Sequence, residues 1–410
     1  MNTILATKQD DSPMKATPTL TSPAAALAAA AAIAPRMRAR ALQTEADRSV
    51  PRASIEDIAD AGLFGLITPK AFGGSELGFA SLVEVTAELA SACGSTGWVY
   101  GVLAGHSWLL NLFPVEAQQE VFREPRALTA TVFRLGGQVE RVEGGYRLTN
   151  GDGRFCSGVD HADWIIVGCP VSAPGAAPDP HFFLLPRREF EIIDDWFTAG
   201  MRGTGSRSIR LRESFIPAHR AVQLQGMIDG TALGAQLHSR PLYRIPFQLV
   251  SPFSLVGAPL GMARSAVRTF GESLGASVRK LPDDQVGSQA ATFARLATAS
   301  AQIDAAYALA LKDATQLDTA AGPEALDELT RARFPRNWAF AVQTARHAVN
   351  HLFEAAGGSG IYDNSELQRN WRDVNSAAQH FAFTWDSAMN NFGRVLIGLS
   401  SSVNAPRGGR

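Results

Sequence analysis

Cysteine is scarce in this chain: Cys93, Cys156 and Cys169 are the only three among 410 residues. An odd number without metal-type spacing excludes a disulfide framework and points to a reducing compartment, read here as cytoplasmic. An excess of either charge is also missing. With 38 Lys and Arg against 39 Asp and Glu, the net charge is -1. No field of one sign gathers nucleic acid or anionic lipid, so neither is an expected partner. Long apolar runs are lacking too. The best candidate, Ala24 to Ala34, is too short and too weakly apolar to span a bilayer. As a secretory signal it has a long polar leader, and Pro35 stands directly after the small residues that would be cleaved. No P-loop, GxGxxG fingerprint or GxSxG elbow occurs, which removes the usual anchors of nucleotide binding and serine hydrolysis. His347 and His351 have a metal-capable spacing, but Ala348 stands where a zinc protease needs glutamate.

What is present is a chain with 46% hydrophobic content, enough for a large core in two or three lobes. Ser22-Pro23 offers an N-cap and a first-turn proline to the alanine-rich stretch, which predicts a helix. Residues 1–21 and 401–410 read as tails. Between them the periodicity has three regimes. Residues 22–127 carry helical spacing, as in PRASIEDIADAGLFGL with Ile55, Ile58, Ala59 and Leu63 recurring at three and four. Residues 128–225 switch to short strands with turn punctuation, including QVERVEGGYRLTNG and DWIIVGCPV. Residues 226–400 return to long helical stretches that suit an antiparallel bundle. The absence of βαβ alternation argues against a dinucleotide-binding sheet.

Four segments carry chemistry: GSTGWVYGVLAGHSWLL, GGYRLTNGDGRFCSGVDHADWIIVG, WFTAGMRGTGSRSIRLRESFIPAHR and GGSGIYDNSELQRNWRDVNSAAQH. In this order they resemble the two-component, flavin-dependent aromatic monooxygenases built on the acyl-CoA dehydrogenase fold, over most of the chain from about Ala41 onward. The resemblance implies a mostly α, α+β architecture: an N-terminal helical domain, a middle β-barrel domain and a C-terminal four-helix bundle. It also implies a dissociable reduced flavin, FADH2 or FMNH2, with O2 as co-substrate. A C4a-hydroperoxide of the flavin would pass one oxygen atom to a small phenolic or indole-like ring. A separate NAD(P)H:flavin reductase would supply the flavin, since no NADH-binding segment is recognisable, and the fold implies a homotetramer.

By the same resemblance, Ser157 lies by flavin N5, His106 takes the proton of the substrate, and His380 faces the flavin from the bundle. An imidazole near neutrality suits the second of these roles. Phe155, Cys156, Trp164 and Trp196 are expected around the flavin, with Arg202, Gly203, Thr204 and Ser206 of the GMRGTGS loop bordering its ring or phosphate. Gly357, Gly358 and Ser359 are expected to reach cofactor across a subunit boundary. Arg202, Arg264 and Arg369 have the bidentate chemistry for phosphate. Asp160 and His161 are read as scaffolding for the turn. The chain departs from many relatives at Asn375, where RDVN replaces RDxH, so no role is carried to that position.

The nearest rival chemistry is desaturation of an acyl-CoA thioester. It needs a glutamate base, and RDVNSAAQHFAFTWDSAMNNFG contains none where that base commonly stands. Oxygenation of nitrogen or sulfur and a non-catalytic helical scaffold are the remaining alternatives.

Overall fold

Alanine-rich sequence and a good cap start the first helix where expected. In the computed structural model, which describes residues 18–172, 175 and 177–402, α1 spans Pro23–Ala39, and Ser22 accepts from the Ala25 N–H. Most of the expected N-terminal tail, residues 1–17, lies outside the described residues, as do 403–410 of the C-terminal one. The last residues of the first tail are tied down: the Leu20 N–H donates to Ser75 Oγ at 2.9 Å. Likewise Ser401 and Ser402 are bonded to Asn391.

The helices α2 (Ala41–Ala46), α3 (Arg52–Asp60), α4 (Phe79–Ala92), α5 (Gly94–Leu110) and α6 (Val115–Phe122) follow. Eight strands come next: β1 (Thr129–Val132), β2 (Gln138–Val142), β3 (Gly145–Cys156), β4 (Trp164–Ser172), β5 (Asp179–Pro186), β6 (Glu191–Ile193), β7 (Arg207–Pro217) and β8 (Ala221–Gln223). They form one sheet in the order β6-β7-β3-β2-β4-β5-β8, with β1 alongside β4. Pairings of β4 with β1 and β2 are parallel, and the rest are antiparallel. The chain then returns to helices: α7 (Leu224–Asp229), α8 (Phe247–Val250), α9 (Phe253–Val278), α10 (Asp283–Val286), α11 (Ala290–Thr319), α12 (Glu328–Ala356), α13 (Glu366–Ala377) and α14 (Trp385–Leu396). No helix among the described residues is long and apolar enough to cross a membrane.

Two cores result. One joins α1, α4, α5, α9, α11 and α12, where Trp338 sits edge-on to Phe253 at 5.1 Å. The other fills the sheet. The junction of α4 with the bundle is capped across the sequence: Asp318 of α11 accepts from the Phe79 and Ala80 N–H groups at 2.6 and 3.0 Å. A Cβ at Gly78 would lie 2.2 Å from the same carboxylate, so the close approach requires glycine. Replacing Asp318 by Ala leaves those first-turn donors unpaired, and the expected cost is about 1–2 kcal/mol in urea unfolding. A loss below a few tenths would remove the cap from the account.

Candidate functional site

The first of the four segments, GSTGWVYGVLAGHSWLL, folds as α5 and its glycines let neighbours approach. A Cβ at Gly101 would stand 2.0 Å from the Ser254 carbonyl oxygen, so the glycine face lies against the start of α9. That contact turns Trp98, Val102, His106 and Leu109 toward a cavity of about 890 Å³. The sheet contributes Thr131, Phe155 and Ser157, the segment before β7 contributes Trp196, Met201, Thr204 and Ser206, and the bundle contributes Phe247, Ser254, His380 and Phe381. Charged groups lining it, Arg134, Asp152 and Arg154, are all exposed, whereas its buried lining is apolar or neutral.

His106 is buried, and its Nδ1 lies 2.9 Å from the Thr129 carbonyl oxygen. A carbonyl only accepts, so Nδ1 carries the proton and Nε2 keeps its lone pair. Burial pushes its pKa down to about 4 against the opposing effect of that hydrogen bond. His380 has the other tautomer. Its Nδ1 accepts from the Ala382 N–H at 3.2 Å, which leaves the proton on Nε2. Its ring packs 4.4 Å from that of Phe381 and 5.6 Å from that of Trp98, and desolvation lowers its pKa to about 4. One cavity thus holds two neutral imidazoles of opposite hydrogen-bonding sense. Thr131, beside His106 on the face of β1 between Thr129 and Phe133, has a buried hydroxyl with no protein partner.

Ser157 accepts from Trp98 Nε1 at 3.1 Å and touches Ser206 Oγ at 2.7 Å, and Ser206 touches Thr204 Oγ1 at 2.7 Å. It sits just after a register shift between Gly153 and Cys156. There Phe155 takes φ +62°, a left-handed conformation uncommon for an aromatic residue, and leaves its ring 71% exposed. Phe155 stands edge-on to Trp196 at 6.1 Å. Backbone strain and an unshielded ring thus coincide at this one position. Phe155→Gly is therefore expected to leave stability unchanged or raised by up to about 1 kcal/mol, and, if the exposed ring is a wall for the flavin that the sequence resemblance implies, to weaken flavin binding about tenfold. A variant destabilised with flavin affinity intact would contradict this.

Asp160 accepts from Ser49 Oγ at 2.7 Å and from Arg207 Nε at 3.0 Å, joining the residues before α3 to β7. Burial lowers the His161 pKa against the opposing pull of the Asp160 carboxylate. Of the residues expected around a cofactor, several lie elsewhere. Cys156 is fully buried in the sheet core, because the bulge turns Phe155 outward and the thiol inward. Trp164 lies under the Arg220 guanidinium at 5.1 Å, outside the cavity lining. Arg202 is exposed beside the cavity without lining it, and Gly203 is where a Cβ would meet Thr44 Cγ2 at 2.4 Å. Arg264 covers the Tyr307 ring at 5.1 Å, and Arg369 is buried with Cys93 and Asp373. Gly357, Gly358 and Ser359 form an exposed turn after α12 and do not line the cavity. Sequence reasoning had not singled out Trp98, Thr131, Phe247, Ser254 or Phe381. Trp98 was accessible to it, being eight residues before His106 on the same helical face.

Comparison with known proteins gives a consistent result. Residues 24–127 match the acyl-CoA dehydrogenase N-terminal domain and residues 254–385 the acyl-CoA dehydrogenase C-terminal domain. The chain is similar to the oxygenase subunit HsaA of a flavin-dependent monooxygenase from Mycobacterium tuberculosis, with 36% identity over 91% of this chain and 95% of the relative. It is also similar to the oxygenase component of an FADH2-dependent resorcinol hydroxylase from Rhizobium sp., with 32% identity over 90% and 92%. Superposition on the crystal structure of the M. tuberculosis HsaA monooxygenase gives a TM-score of 0.87, with 33% identity, covering 93% of this chain and 99% of that one.

Proposed function

The chain belongs to the oxygenase components of flavin-dependent monooxygenases on the acyl-CoA dehydrogenase fold, and from that premise we propose that it inserts one atom of O2 into a phenolic or indole-like ring at the cavity between α5, the sheet and α9. The observation that carries this reading is the pair of neutral histidines of opposite tautomer facing one apolar chamber. The residues fit a flavin. Phe155 and Phe381 leave exposed rings on the cavity for a planar ring system, and Arg134 and Arg154 stand at its mouth for phosphate. Bound reduced flavin supplies the oxygen chemistry, and the protein supplies position, electrostatics and exclusion of water.

In this arrangement His106 Nε2 accepts the substrate O–H or N–H proton, which raises electron density on the ring. His380 Nε2–H donates toward the side where oxygen arrives, and Ser157 accepts the flavin N5–H. The flavin, FADH2 or FMNH2, exchanges with solution and comes from a separate NAD(P)H:flavin reductase. Phe340 of α12 and Trp385 of α14, with Ile361, Tyr362 and Ile397 in the segments that follow α12 and α14, are exposed, apolar groups suited to assembly as a homotetramer. The same reading divides the chain at 22–127, 128–225 and 226–400 and keeps it in the cytoplasm. Thioester desaturation needs a carboxylate base, and none of the buried residues lining the cavity is acidic.

The test is turnover of a panel of phenols and indoles with chemically reduced FMN or FAD under isotopically labelled O2. Label in a hydroxylated product supports the proposal. Absence of labelled product together with reduction of bound oxidised flavin by acyl-CoA thioesters would replace it with desaturation.

A further inference from the structure

Ser157, Ser206 and Thr204 stand in a row whose two ends have fixed polarity. At one end Trp98 Nε1–H can only donate, and it lies 3.1 Å from Ser157 Oγ. At the other, the Met201 carbonyl can only accept, and Thr204 Oγ1 lies 2.9 Å from it. That gap needs a proton, and only Thr204 has one to give. With it spent, the 2.7 Å contact between Thr204 and Ser206 must be filled by the Ser206 proton. The 2.7 Å contact between Ser206 and Ser157 is then filled by the Ser157 proton. Ser157 therefore accepts from Trp98, donates to Ser206, and presents to the cavity a lone pair and no proton.

We infer that Thr204 and Ser206 are positioning residues: by orienting the Ser157 hydroxyl they set the margin by which this site holds reduced over oxidised flavin. The inference rests on the placement of flavin N5 against Ser157 proposed above. Reduced flavin carries a hydrogen on N5 and finds an acceptor. Oxidised flavin has a lone pair there, and two facing acceptors away from bulk water leave both unpaired. The two hydroxyls behind Ser157 thus decide how far oxidised flavin is disfavoured at this position. Thr204 and Ser206 act as positioning residues: they set what Ser157 offers.

The measurement is the dissociation constant of the full chain for oxidised FMN in air and for reduced FMN under anaerobic conditions, taken as a ratio. Thr204→Val is the informative variant. Met201 O keeps donors from Trp196 Nε1 at 3.0 Å and the backbone N–H of residue 204 at 3.2 Å, so nothing there is orphaned. Without an acceptor at 204, the Ser206 proton turns to Ser157 and the Ser157 proton turns to the cavity. The chain reverses. The wild type is expected to bind reduced FMN at least about tenfold more tightly than oxidised FMN, and Thr204→Val to lower that ratio by about tenfold or more. Thr204→Ser restores the wild-type ratio, and Ser206→Ala, which frees the Ser157 proton, lowers it. Equal weakening of both redox states, or a ratio unmoved in Ser206→Ala and in Thr204→Val, would overturn the inference and leave the proposed function standing. Failure of the wild type to bind either form would overturn both.

Discussion

His106→Gln is expected to lower hydroxylated product about a hundredfold or more, while reduced flavin is still consumed by oxygen. The two outcomes separate if, as proposed, the side chain acts on the aromatic substrate. Nδ1–H is held by the Thr129 carbonyl, so the lone pair on Nε2 is the basic group turned into the chamber. An amide matches the polarity of the ring but cannot take up a proton. Substrate then waits with its O–H or N–H intact, the ring carbon is less electron-rich, and oxygen leaves as hydrogen peroxide. Product and peroxide measured together give the answer: peroxide rises as product falls. A variant that hydroxylates at the wild-type rate would remove His106 as the base, and one that loses flavin consumption in equal measure would assign it to the flavin.

The same residue should govern part of the stability of the protein below neutrality. Its pKa in the folded chain is about 4, against the ordinary 6.5 of an unfolded histidine. The folded value is the lower one, so its contribution is fully present above about pH 6.5 and is lost as pH falls toward 4. Across that window wild type is expected to lose about 3 kcal/mol relative to His106→Gln, which has no such proton to bind. Urea unfolding of the two proteins at several pH values reads this difference directly. Parallel pH profiles would mean that His106 is protonated as readily inside as outside. Asp373 works in the opposite direction, its pKa raised by burial to about 6, but it is common to both proteins and cancels.

The order of helices, strands and helices was readable because the periodicity changes with each element: Ile55 and Ile58 repeat at helical spacing, whereas β2 and β3 alternate around a Glu-Gly turn. Ser157, His106, His380, Trp196, Thr204 and Ser206 were readable through motif resemblance and converge on one cavity. Side-chain direction was harder. Cys156 and Phe155 are neighbours, and only the register shift at the end of β3 decides which one faces out. Trp164 shares a motif with Ser157, yet it opens β4 on a surface covered by Arg220. Phe247 and Ser254 come from a stretch with no motif of its own, brought to the cavity by the packing of α9 on α5. Arginine chemistry alone did not separate Arg264, taken up by Tyr307, from the exposed Arg134 and Arg154 at the mouth. Thr131 carried no local signal, since its unpaired hydroxyl is a property of the folded cavity.

The central claim is that this cavity holds reduced flavin through Ser157 while oxygen reacts. Its most direct test is anaerobic mixing of the protein with reduced FMN or FAD, followed by oxygen in a stopped-flow spectrometer without aromatic substrate. The quantity read is the interval between loss of reduced flavin and appearance of oxidised flavin. A long interval in the wild type, shortened up to about tenfold in Ser157→Ala, is the predicted result. Immediate appearance of oxidised flavin in the wild type, with both flavins and at several pH values, would contradict the account.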